Sequence, residues 1–191
     1  MTRFLTALVP AILLLALTPA AGFAAPAIGE PAPAFAGTTA AGKTISLADF
    51  RGRPVILEWT SHQCPFVYKH YRTGNMQKLQ RRLTEAGAVW ISVISSAPGK
   101  QGHVSAEEAQ AIATRNASYA DHILLDPEGE TGRAYRARTT PQMVLIRADG
   151  TLAYNGAIDD KPSTEFETVE SARNYLLAAF KAVQSGDPVD P

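Results

Sequence analysis

Between Arg53 and His62 the chain carries Pro54-Val-Ile-Leu-Glu-Trp-Thr60, a nearly continuous apolar run bounded by Arg51-Gly52-Arg53 and by a polar segment. An alternating strand can leave one face wet, whereas a run of this kind reads as a strand covered on both faces. Val89 to Ile94 repeats the pattern, and His122 to Leu125 is a shorter third instance. Helical segments separate these runs. From Pro65 to Ala86, Met76, Leu79 and Leu83 recur at helical spacing, Thr73-Gly74-Asn75 marks a break, and Lys78, Arg81 and Arg82 fall on the solvated face. Ser105 with Glu108 forms a capping-box signature for a helix reaching about Asn116. Buried strands alternating with amphipathic helices define an α/β sandwich with a mixed sheet.

The remaining segments complete that architecture. Phe35 to Thr39 and Lys43 to Ser46 flank Ala40-Ala41-Gly42 as a small hairpin, and Gln142 to Arg147 pairs with Thr151 to Asn155 around Ala148-Asp149-Gly150. Glu128 to Arg136 is a brief helical stretch. Thr164 with Glu167 caps a final helix with apolar positions Val169, Ala172, Leu176, Phe180 and Val183, and Gly186 ends it. At 191 residues and 46% hydrophobic content, the chain suits one domain that needs no disulfide staples.

The leader is distinct. Residues 1–24 hold one basic residue, Arg3, then an apolar run from Phe4 through Leu17 and the small residues Gly22 and Ala24, which is the layout of a secretory signal peptide. Its apolar part is short for a membrane span. Cleavage after Ala24 leaves an extended, proline-containing lead-in (residues 25–33), a domain over residues 34–186 and a tail over residues 187–191. The expected compartment is periplasmic and oxidising, with no membrane association after cleavage. With 18 basic against 18 acidic side chains and no basic run, nothing favours nucleic acid as a partner.

Cys64 is the single cysteine, which excludes an internal disulfide, a four-thiolate zinc site and a C-x-x-C pair. It follows the first buried strand and precedes Pro65, a residue favoured in the first helical turn, so the thiol sits at a helix start, where an anion is stabilised. His62, Lys69 and His70 stand close enough in sequence to add positive charge. The carboxyl end of a central strand is also where open α/β sheets bind ligands, and the loop Ser95 to His103 leaves the same rim.

These segments together resemble the AhpC/TSA, or redoxin, branch of the thioredoxin superfamily. The resemblance rests on Ile28-Gly29-Glu30-Pro31-Ala32-Pro33-Ala34-Phe35, on Gly42-Lys43-Thr44-Ile45-Ser46-Leu47 with Phe50-Arg51-Gly52, and on the strand into Cys64-Pro65. Thr139-Thr140-Pro141 before Met143-Val144-Leu145-Ile146 looks like that fold's cis-proline strand. His62-Gln63-Cys64-Pro65-Phe66-Val67, continuing to Lys69-His70-Tyr71, is similar to an exported redoxin subgroup. The resemblance implies a thioredoxin-like fold with a mixed central β-sheet flanked by helices and an N-terminal β-hairpin extension.

Departures from the family pattern limit the chemistry. Val67 occupies the position of a resolving thiol, which closes an unaided dithiol cycle. Against the peroxidase pattern P-x-x-x-[TS]-x-x-C, Ser61 supplies the hydroxyl, but Leu57 replaces the proline. Pro141 falls where the catalytic arginine belongs, with Arg138 the nearby substitute. The subgroup often carries a second cysteine in a C-terminal tail, and Gly186 to Pro191 contains none. The expectation is therefore a thiol oxidoreductase in which Cys64 attacks a peroxide or a disulfide and an external thiol or thioredoxin-like reductant regenerates it. Ser61 would bond the thiolate or substrate, Thr140 and Pro141 would shape the groove, and Trp59 would pack beneath the cysteine loop. No metal or cofactor is expected. The alternative is a non-catalytic redoxin-fold module that binds a peptide or copper. Asp159-Asp160 reads as a solvated turn. Glu58 has two readings, a buried acid that could exchange a proton with Cys64 or a wet acid on an edge.

Overall fold

A computed structural model describes residues 26–189; the expected signal peptide lies outside them. The chain forms strands β1 (Ala36–Thr38), β2 (Thr44–Ser46), β3 (Val55–Trp59), β4 (Val89–Ile94), β5 (His122–Leu125), β6 (Gln142–Ile146) and β7 (Leu152–Gly156). Its α-helices are α1 (Pro65–Arg72), α2 (Asn75–Glu85), α3 (Ala106–Arg115), α4 (Glu130–Ala134), α5 (Thr168–Ser171) and α6 (Tyr175–Ser185). The main sheet has the order β5-β4-β3-β6-β7, and β1 pairs antiparallel with β2 as the expected hairpin. β3 runs parallel to β4 and antiparallel to β6, so the sheet is mixed.

Every residue of β3 is buried, as its unbroken apolar run demands. The pleat sends alternate side chains to opposite faces. Val55, Leu57 and Trp59 join Ile91, Val93, Leu124, Val144 and Tyr135 in one core. Ile56 faces the other way, with Trp90, Leu145 and the apolar stripes of α2 and α6: Met76, Leu79, Leu83, Leu176 and Phe180. Each such aliphatic side chain contributes roughly 1.5–3 kcal/mol when fully buried.

Both edges of the sheet are covered. On the β5 edge the hairpin docks through a Thr39–Leu124 bridge, and an added Cβ at Gly37 would come within 2.8 Å of Leu124 Cδ1. On the β7 edge the lead-in bridges Pro31 to Thr151, with Gly29 N–H donating to the Leu152 carbonyl at 2.8 Å. The lead-in thus extends the sheet and removes an open edge.

The single final helix expected from the sequence is two helices. At Ala172 the backbone turns extended (ψ 134°), and Asn174 caps α6 by accepting from Leu177 N–H at 2.8 Å. Arg173 N–H donates to Asp160 and Tyr175 N–H to the Ile158 carbonyl, so pairing with residues 158–160 outcompetes helix continuation. Thr164 lies outside both helices. Val169 and Ala172 are only partly buried, while Leu176, Ala179 and Phe180 reach the core.

Candidate active site

Trp59 at the end of β3 is in register with Gln142 at the start of β6, and that pairing brings the loops beyond them together. Cys64 is the N-cap of α1, in extended conformation (φ −83°, ψ 123°), with Pro65 following. Its N–H donates to the Ser61 carbonyl at 3.0 Å, closing the turn that presents the thiol. The Cys64 S–H donates to the Thr140 carbonyl with an Sγ–O distance of 3.0 Å. The Thr140–Pro141 peptide is cis. Cys64 is half-buried, and its sulfur makes no capping bond to the helix N–H groups.

A groove of about 570 Å³ opens beside the thiol, with Phe66, Pro141, Ile158 and Tyr175 among the side chains that line it. Lys69, His70, Asp159, Asp160 and Lys161 supply its polar wall. Lys69 is fully buried, its ammonium facing the Lys161 carbonyl at 3.4 Å and Thr168 Oγ1 at 3.5 Å. His70 is buried as well. Asn75 donates to its Nδ1 at 2.7 Å, which leaves the proton of the neutral ring on Nε2, 3.6 Å from Asp159 Oδ2. Burial holds the His70 pKa down at about 4 against the pull of Asp159. His70 is therefore neutral near pH 7 and adds no positive charge there. Asp159 likewise departs from its sequence reading: it is buried, while only Asp160 reaches solvent, pairing with Lys161 at 3.7 Å. The sequence signal for Asp159 was slight, because adjacent acids after a hairpin usually mark a wet turn.

Not all of the expected site residues line this groove. Ser61 and His62 line a separate small cavity with Val67 and Gly102. The loop Ser95 to His103 reaches the cysteine loop, where Gly102 N–H donates to Gln63 Oε1 at 3.2 Å, but none of its residues lines the groove beside Cys64. Trp59 is buried beneath the site, donating from Nε1 to Ser95 Oγ at 3.1 Å and packing on Tyr135 with ring centroids 5.6 Å apart. Arg138 is exposed and outside the groove lining; its backbone N–H donates to Gln142 Oε1 at 2.9 Å.

Glu58 resolves to the buried reading. It has no exposed surface and accepts from Trp90 Nε1 at 2.9 Å, Ser92 Oγ at 3.1 Å, Gln80 Nε2 at 3.2 Å and Tyr71 OH at 3.2 Å. Burial raises its pKa although these bonds oppose the shift. Among the described residues, no cluster of three or more His, Cys, Asp or Glu side chains could hold a metal ion, and no helix is long and apolar enough to cross a membrane.

The fold and the thiol facing a cis-proline loop define a member of the thioredoxin superfamily. Residues 28–155 match the AhpC/TSA family, and the chain belongs to it. No curated protein matches. An uncharacterized conserved protein of Geobacillus kaustophilus is 25% identical, with 86% of each chain covered and a TM-score of 0.73. A hypothetical protein of Sinorhizobium meliloti is 23% identical over 86% of this chain and 87% of its own, with a TM-score of 0.71. The thioredoxin domain of a thiol-disulfide oxidoreductase from Bacteroides vulgatus shares the fold, at 21% identity over 76% of this chain and 96% of its own and a TM-score of 0.55.

Proposed function

We propose that this protein is an exported thiol oxidoreductase that exchanges disulfides through Cys64 alone. The carrying observation is the thiol at 3.0 Å from the Thr140 carbonyl, on the wall of a groove far larger than a peroxide needs. In the forward step the Cys64 thiolate attacks one sulfur of a substrate disulfide. A Cys64–substrate S–S bond forms, the original S–S bond breaks, and the leaving thiolate takes up a proton. An external thiol then attacks the substrate sulfur of the mixed disulfide: a new S–S bond joins that thiol to the substrate fragment, the Cys64–substrate bond breaks, and Cys64 leaves as a thiolate that takes up a proton. Val67, at the position where a resolving cysteine would stand, is buried and carries no thiol, which makes the external partner necessary.

The site supports disulfide exchange over peroxide reduction. None of the residues lining the groove is an arginine, Leu57 is packed in the core, and Ser61 faces a different cavity. Export is supported by the leader sequence of residues 1–24. The test is turnover of a model disulfide in the presence of a thiol reductant, compared with Cys64→Ser. Turnover that depends on Cys64 is the expected result. No turnover, together with peptide binding in the groove, would favour a binding module.

A further inference from the structure

We infer that Asp159 sets the substrate preference of Cys64: the groove takes disulfides whose non-reacting end carries a primary ammonium over those ending in a carboxylate. The inference rests on the disulfide-exchange reading above.

Asp159 is buried in the wall of the groove that contains Cys64. Its Oδ1 accepts from Lys161 N–H at 3.0 Å, whereas Oδ2 is buried and has no hydrogen-bond partner among the described residues. A buried carboxylate oxygen left unpaired is rare enough in a native fold to need an explanation. The donors around it are committed or too distant. His70 Nε2 stops at 3.6 Å, beyond a hydrogen bond. The Lys161 ammonium pairs with Asp160, and the fully buried Lys69 ammonium turns to the Lys161 carbonyl and Thr168.

An ionised carboxylate only accepts hydrogen bonds, so the group that completes Oδ2 is a donor. Among the end groups of small disulfides, an ammonium forms a charge-assisted bond, a hydroxyl forms a weaker neutral one, and a carboxylate meets a like charge. Asp159 lines the groove while Oδ2 itself is covered, so a small rotation of its side chain would bring Oδ2 to the ammonium and hold the disulfide in the groove shared with the thiol.

Three disulfides of similar size test this with the full chain: cystamine, bis(2-hydroxyethyl) disulfide and dithiodiglycolate. The rate of mixed-disulfide formation at Cys64 is read by intact mass. Dividing it by the rate of the same disulfide with 2-mercaptoethanol removes intrinsic reactivity. The normalised cystamine-to-dithiodiglycolate ratio should be about tenfold in the native protein, the size of one charge-assisted hydrogen bond, with the hydroxyl compound between. Asp159→Asn keeps an oxygen for Lys161 N–H and should bring the ratio to within about twofold of unity once the charge-assisted bond is lost. Glu85→Gln, which removes an exposed acid on α2 outside the groove, should leave it unchanged. If the Asn variant does not fold, Asp159→Ser carries the same comparison. A native ratio near unity, or a ratio unmoved by replacing Asp159, overturns the inference and leaves disulfide exchange standing. No adduct with any of the three overturns exchange and the inference together.

Discussion

The thiol of Cys64 and the carbonyl oxygen of Thr140, 76 residues apart in sequence, lie 3.0 Å apart. Their meeting follows from sheet register, because Trp59 at the end of β3 pairs with Gln142 at the start of β6, so the adjoining loops lie at the same end of the sheet. The contact describes the protonated thiol, whose hydrogen the carbonyl accepts. The same sulfur stands at the start of α1, on the wall of the groove that Phe66 and Pro141 also line.

Glu58 gathers four donors around one fully buried carboxylate, so its removal should be costly. Glu58→Ala leaves Trp90 Nε1 and its neighbours unpaired beside a new cavity, with an expected loss of about 3–5 kcal/mol measured by urea unfolding. Glu58→Gln is milder, since its carbonyl can accept from Trp90, Ser92 and Gln80 while its amide donates to the Tyr71 oxygen. The raised pKa gives a sign: the folded state binds the extra proton, so the Glu58 contribution declines as pH rises above about 4.5. The stability of Glu58→Gln relative to the native protein should therefore improve across that range.

His70 acts in the opposite sense. Its pKa is near 4 in the folded protein against 6.5 ordinarily, so between those values the unfolded chain binds more protons. Stability should fall as pH drops from 6.5 toward 4, by on the order of 2 kcal/mol after allowance for solvent screening, and His70→Asn should flatten that limb. Melting temperature against pH, with the His70 ring followed by NMR, checks both statements. A ring that titrates near 6.5 would contradict the buried, neutral assignment.

Much of this was legible in the sequence because the responsible pattern was local. The apolar run into Cys64 dictated a central strand, Pro65 marked a helix start, and Ser105 with Glu108 forms a capping box in the structure. What was not legible depended on long-range pairing. Nothing near Asn174 shows that residues 158–160 will pull the chain out of a helix. Glu58 could not be placed until Trp90, Ser92, Tyr71 and Gln80, from three other elements, converged on it. Asp159 is hidden from the sequence for the same reason: His70 of α1 and the chain at Asn174, both distant in sequence, lie against it.

Asn174 offers a direct check on the divided helix. Its side chain satisfies Leu177 N–H, so Asn174→Ala should cost about 1 kcal/mol in thermal or denaturant unfolding. Thr164→Ala should change little, because Thr164 stands outside both helices.

Gly102 tests how tightly the loop Ser95 to His103 is held. It adopts φ +83°, and an added Cβ would come within 2.8 Å of Ser61 Oγ and 3.0 Å of Ser96 Oγ. Gly102→Ala should cost about 1–3 kcal/mol and loosen the Gly102–Gln63 bond, seen as faster amide exchange across residues 96–103.

The most direct test of the central claim follows Cys64 itself. The folded protein is incubated with a small disulfide, the mass of the intact chain is recorded against time, and a thiol reductant is then added; the same reaction is run on the urea-unfolded chain. The account predicts that a single mixed disulfide forms on the folded protein faster than on the unfolded chain at the same pH, that the reductant releases it, and that Cys64→Ser forms none. A folded protein that stays unmodified, or reacts only as fast as its unfolded chain, would contradict it.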